Sequence, residues 1–146
     1  MSIDKAPTNH IEPRDFTKNK LRIKLVQVNF TYGKNTYLPY SAGLLQAYIQ
    51  SFDEIANLCE FLPIEFLRTP PDPKKLEFSE IDLVGLSAYI WNWEYVKNYA
   101  KIVKRVSPRT LVVVGGPQVE SGNQNFLIEN SDFDIAVHGE GEKAFL

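Results

Sequence analysis

The chain has 146 residues, 44% of them hydrophobic and 23% charged, with a formal net charge of −2 at pH 7. That suffices for one globular domain with a real core, and the charge argues against a general nucleic-acid binder. No apolar run is long enough to cross a membrane and no signal-peptide core opens the chain, so the expected compartment is the cytosol.

Residues 1–20 are polar, hold Pro7 and Pro13, and show no periodicity; they read as a flexible leader, leaving 21–146 as the domain. Residues 21–29 alternate and then turn apolar through Ile23, Leu25, Val26 and Val28, the pattern of a first, central strand. A loop over 30–39 follows, at the carboxyl end of that strand. Residues 40–52 read as a helix with Leu44, Leu45, Tyr48 and Ile49 inward, and Gly43 is expected to allow close approach to a sheet; 53–58 can add a turn. Residues 61–67 read as a second strand, and Pro63, which has no ladder donor, places it at an edge. The loop Thr69-Pro70-Pro71-Asp72-Pro73 leaves room at 74–80 for only a short helix.

Residues 83–88 and 111–114 are short apolar runs, as expected of strands buried on both faces. Between them Val96, Tyr99, Ala100, Val103 and Val106 recur at helical spacing, with Asn92 as N-cap and Pro108 as stop. This is a βαβ unit with an expected right-handed crossover. Residues 124–130 offer two to three helical turns, and 134–138 a last strand. Residues 141–146 open a further helix, which reads as cut short and the chain as a piece of a longer polypeptide, the alternative being a frayed tail on a complete domain. The alternation predicts an α/β fold: a flavodoxin-like (Rossmann-like) three-layer sandwich with a five-stranded parallel sheet in the order 2-1-3-4-5.

In such sheets ligands bind at the carboxyl edge. The loop after the first strand holds one glycine, Gly33, so neither a Walker loop nor a dinucleotide fingerprint is present. The third strand ends in Ser87-Ala88-Tyr89, without the aspartate of a phospho-accepting receiver. His10 and His138 are isolated, and the single Cys59 can form neither an internal disulfide nor an iron–sulfur site by itself. No catalytic or metal-ligating residue is expected. What remains is a rim of small and aromatic residues: Tyr32, Tyr37, Tyr40, Ser87, Tyr89, Trp91, Gly115, Gly116 and the turn at 139–142. Glycines let backbone approach a large flat ligand, and aromatics add contact area with few rotors to freeze. Tyr89 and Trp91 could equally pack under the next helix.

Leu-Ser-Ala-Tyr-Ile-Trp-Asn, Val-Gly-Gly-Pro-Gln-Val and Val-His-Gly-Glu-Gly-Glu, in this order, together with Tyr-Leu-Pro-Tyr-Ser-Ala-Gly upstream, resemble the N-terminal cobalamin-binding domain of cobalamin-dependent radical S-adenosylmethionine (SAM) enzymes. The resemblance runs over residues 21–146. It implies a corrin lying over the carboxyl ends of the strands, with its nucleotide tail between the serine strand and the Gly-Gly strand. Ser87 would then hydrogen-bond the tail, Gly115 and Gly116 would leave it room, and Pro117 and Gln118 would flank it. Gly139, Glu140 and Gly141 would close the rim, with Asn29, Tyr37, Ala88, Tyr89 and Trp91 completing the cofactor-binding set. Valine at either glycine is expected to abolish binding with the fold intact. Tyr89, or alternatively Trp91, would guard the corrin's lower face.

Two departures stand out. Where related domains carry Asp-x-His-x-x-Gly after the first strand, this chain has Val28, Phe30 and Gly33, so the cobalamin would be base-off with no histidine ligand. The three-cysteine motif is absent, so a 4Fe-4S cluster and SAM would belong to a downstream radical SAM domain. In that family methylcobalamin commonly methylates an unactivated carbon, although some members use cobalamin otherwise. The expected partners are therefore cobalamin and that downstream domain, with no nucleic acid and no membrane. The rival expectation is a degenerate, corrin-free interaction domain.

Overall fold

The structure, a computed structural model, describes residues 19–78 and 80–144; most of the expected leader lies outside them. Five strands form one parallel sheet: β1 (Leu21–Val26), β2 (Cys59–Phe61), β3 (Leu83–Ser87), β4 (Leu111–Gly115) and β5 (Ile135–Val137). Their order is β2-β1-β3-β4-β5, as the alternation predicts. The helices are α1 (Tyr40–Gln50), α2 (Asp53–Ala56), α3 (Pro73–Phe78), α4 (Trp93–Val106), α5 (Phe126–Glu129) and α6 (Gly141–Ala144).

Side chains alternate across the sheet and define two cores. Val84 and Leu86 of β3 and Val112 and Val114 of β4 face α4, whose Val96, Tyr99, Ala100 and Val103 are buried against them. Leu76 of α3 and Phe126 of α5 join the same layer. On the other face Ile23 and Leu25 of β1 pack on Ala42 and Leu45 of α1. No helix among the described residues is long and apolar enough to cross a membrane.

Several elements differ from expectation for physical reasons. The second strand starts earlier, at Cys59, because Pro63 interrupts the ladder; pairing resumes only as a single bridge between Val26 and Glu65. It does lie at the sheet edge. The inner face of α1 is Ala42 and Ile49 with Leu45 half-buried, whereas Leu44 is exposed. A Cβ added at Gly43 would meet open space, so this glycine does not serve close packing. The loop at 30–39 contains a small antiparallel hairpin, Thr31–Tyr32 with Asn35–Thr36, turned by Gly33 at φ +60°. Helix α5 is a single turn, burying Phe126 and leaving Leu127 and Ile128 exposed.

At the amino edge one device occurs twice. Asp82 and Asp134 each precede a strand, and each carboxylate accepts a backbone N–H of the neighbouring strand: Arg22 N at 2.8 Å and Val112 N at 2.7 Å. Donors that the ladder leaves over are thereby satisfied.

Under α4 a charged group is held inside the fold. Glu65 accepts the hydroxyls of Tyr99 at 3.1 Å and Tyr95 at 3.3 Å, and Lys24 Nζ lies 3.6 Å away. Burial pushes both phenols above the ordinary tyrosine value, and the Glu65 carboxylate pushes them further. An unfolded tyrosine ionises near pH 10, while these keep their protons, so above about pH 10 the unfolded state binds fewer protons and stability falls as pH rises. Below that pH the contribution is complete. Tyr99→Phe should flatten this alkaline decline, as read by urea unfolding at about pH 8 and about pH 11. An unchanged slope would show that the Tyr99 phenol resists ionisation no more in the folded protein than in the unfolded chain.

Candidate functional site

The carboxyl edge of the sheet carries a groove of about 270 Å³. Its floor follows from strand alternation. Gly85 and Ser87 of β3, and Val113 and Gly115 of β4, point to the α1 side, and the register pairs Gly85 with Val113 and Ser87 with Gly115. Three of these four residues are small, so the floor is smooth and low. One wall is α1, through Ser41, Ala42 and Leu45; the other is Val137 and the turn at 139–142, including Glu140 and Glu142.

Helix α1 is positioned from the end of β1. Proline at its N-cap offers no side-chain acceptor, and instead the buried Gln27 Oε1 accepts Ala42 N at 2.9 Å. Asn92 is more central. It is buried, and its side chain does not cap α4. Its amide donates to Val28 O and Ser87 O, both at 2.9 Å, and its Oδ1 accepts Tyr89 N at 2.7 Å. One side chain thus rivets the ends of β1 and β3 to the loop that leaves β3. Asn92→Ala should destabilise the protein by about 2–3 kcal/mol, since buried carbonyls lose their donor. A change below about 0.5 kcal/mol in urea unfolding would show that the rivet is redundant.

Above the groove the aromatics form a connected series. Tyr89 and Trp91 are stacked, with ring centres 4.6 Å apart and planes 9° from parallel. Phe30 meets Trp91 edge-on at 5.6 Å and Tyr37 at 5.4 Å. The Tyr89 hydroxyl is 2.7 Å from Ser41 Oγ, and Arg68 donates to the Trp91 carbonyl at 2.8 Å. Neither Tyr89 nor Trp91 serves as packing under α4; that role belongs to Trp93, which lies against Phe126 and Phe133.

Of the residues expected from sequence, Ser87, Tyr89, Gly115, Gly116, Gly139, Glu140 and Gly141 line the groove together. Trp91 and Tyr37 stand on the aromatic rim, and Asn29 closes the rim loop by donating to Leu38 O at 3.2 Å and Tyr37 O at 3.4 Å. Ala88 is fully buried, Pro117 is exposed, and Gln118 N reaches Ala88 O at 3.2 Å. Gly85, Ser41 and Gln27 escape the sequence reading. Gly85 could have been found from the parity that puts it on the face of Ser87; the other two carry no local signal.

The two adjacent glycines differ, which corrects the expectation that valine at either would spare the fold. A Cβ on Gly115 would lie 3.6 Å from Val137 Cβ, an ordinary contact. Gly116 has φ +111°, and a Cβ there would lie 2.6 Å from Ala88 O. Gly115 opens the groove, whereas Gly116 lets two backbones touch.

The chemistry on offer is binding. Among the described residues no Lys or Arg lines the groove. Among the described residues no three His, Cys, Asp or Glu side chains gather as a metal site. Burial pushes the Cys59 thiol up, away from thiolate reactivity. This is an open α/β sheet with a ligand groove at its carboxyl edge, apolar along its floor and with two glutamates in one wall. The family described as the B12 binding domain matches residues 74–146, and the chain belongs to it. It is similar to the cobalamin-dependent radical SAM methyltransferase TokK of Streptomyces tokunonensis, 39% identical over 115 residues, which is 77% of this chain and 17% of that protein. It is also similar to the 2-(S-pantetheinyl)-carbapenam-3-carboxylate methyltransferase of Streptantibioticus cattleyicolor, 35% identical over 109 residues, 75% of this chain and 16% of that protein. The chain spans roughly one-sixth of the length of these curated relatives. The cradle fits the family's cofactor: a floor with little side-chain bulk, a serine hydroxyl within it, and an aromatic rim above.

Proposed function

We propose that this chain binds cobalamin and presents it to a radical SAM domain of the same polypeptide, in an enzyme that methylates an unactivated carbon. The observation that carries the reading is the floor formed by Gly85, Ser87 and Gly115 between α1 and the turn at 139–142. A planar base can slide in there, with Ser87 as hydrogen-bond partner and the corrin resting on the rim of Phe30, Trp91 and Tyr89.

Cobalamin, when bound, supplies the cobalt that carries a methyl group; the 4Fe-4S cluster and SAM belong to the rest of the enzyme. The chain's own part is to bind, orient and exclude water. Val28 is buried and Phe30 is half-exposed on the rim where related domains place their aspartate and histidine. No imidazole from this loop could reach the cobalt, and with its base drawn into the groove the cofactor would be base-off, its lower side facing the aromatic rim. Such an enzyme would work in the cytosol.

The test is gel filtration with hydroxocobalamin. A corrin band migrating with the protein is expected, whereas the rival reading, a corrin-free interaction domain, requires none. Electron paramagnetic resonance of the cob(II)alamin form should show no superhyperfine splitting from an axial nitrogen. Such splitting would disprove the base-off, histidine-free arrangement.

A further inference from the structure

Tyr89 is held at both ends. Asn92 fixes its backbone nitrogen at 2.7 Å, and Ser41, in the first turn of α1, holds its hydroxyl at 2.7 Å. The two hydroxyls belong to residues 48 apart in sequence, and both residues line the groove. With its phenol tied, the Tyr89 ring is biased toward one rotamer. Trp91 lies flat on it, at 4.6 Å and 9°, and the Trp91 carbonyl is itself held by Arg68. The stack is therefore set before any ligand arrives, and its ordering is accomplished by folding instead of by binding.

We propose that Ser41 is a positioning residue for the cofactor: its hydroxyl keeps Tyr89 upright at the boundary between the tail groove and the corrin rim, and through Tyr89 it sets the plane of Trp91. This rests on the cobalamin reading above. Ser41 also lines the groove, so it acts on both halves of the ligand from one place. Without it the phenol is free to turn into the groove or out to solvent. The tail then meets a partly filled cleft, and water gains access to the lower side of the cobalt. The bond is small in energy and its consequence is geometric, so its signature should be coupling between the two residues.

The experiment uses the wild type, Ser41→Ala, Tyr89→Phe, the double variant and Ser41→Thr. Near-ultraviolet circular dichroism of the cofactor-free proteins reads the fixed Tyr89–Trp91 stack. Both single variants should lose the same part of that signal, and Ser41→Thr should regain it. With hydroxocobalamin, each single variant should bind about fivefold more weakly, the double variant no more weakly than either, and Ser41→Thr like the wild type. The cob(II)alamin spectrum of the single variants should shift toward the water-ligated form. Singles whose effects multiply in the double variant, or a Ser41→Ala protein with unchanged dichroism and cob(II)alamin spectrum, would overturn the proposal. If the wild type retains no cobalamin, the functional reading fails, and the dichroism still decides whether Ser41 sets the stack.

Discussion

Gly116→Val should yield a protein that does not reach the native state, and Gly116→Ala one destabilised by about 4 kcal/mol or more. Two effects act together. The residue sits at φ +111°, where a side chain is strained in any surroundings, and a Cβ would stand 2.6 Å from Ala88 O and 3.1 Å from Ala88 N. Both of those atoms are engaged: Ala88 N donates to Gly115 O at 2.7 Å, and Ala88 O accepts Gln118 N at 3.2 Å. The loop cannot retreat without breaking the join between β3 and β4. Urea unfolding of the alanine variant is the measurement; a loss below about 1 kcal/mol would mean that the loop yields easily.

Gly115→Val should do the opposite, leaving stability within about 1 kcal/mol and lowering cobalamin affinity by roughly a hundredfold or more. The first added carbon is tolerated, 3.6 Å from Val137 Cβ. The further methyls have only the groove to occupy, because Gly115 shares its floor with Ser87. A folded valine variant with wild-type affinity would move the nucleotide tail to another part of the edge. Adjacent glycines thus separate folding from binding within one turn, and the pair serves as its own control.

How much of this was legible depended on range. Strands β3 and β4 announce themselves because a strand buried on both faces must be apolar throughout, and α4 because its inner face repeats at 3.6 residues. Pro63 correctly marked an edge, but the ladder ran before it and not through it. The hairpin at 31–36 was invisible because two residues a side carry no period. Asn92 does stand at the N-cap of α4, as its place before the helix predicts, yet its side chain finds stronger work between two strand ends. The split between Gly115 and Gly116 lies in a backbone angle and in the place of Ala88, 28 residues earlier. Ser41 belongs to the site through a hydroxyl on another element, and only packing reveals that. The groove's floor was half-visible: Ser87 and Gly115 were named, while Gly85 awaited the parity of β3.

The two tryptophans, Trp91 and Trp93, are sequence neighbours but not neighbours in environment. Trp91 is 42% exposed on the rim. Trp93 packs against Phe126 and Phe133, with Lys97 Nζ 5.5 Å from its ring centre. The protein therefore carries two built-in lamps, one at the doorway and one indoors. A dissolved quencher such as acrylamide will dim the first more than the second, which is partly buried. A corrin, which absorbs where indoles emit, will darken the doorway lamp most strongly because it would rest beside it. Occupancy can then be read from the ratio of the two emissions, without a label.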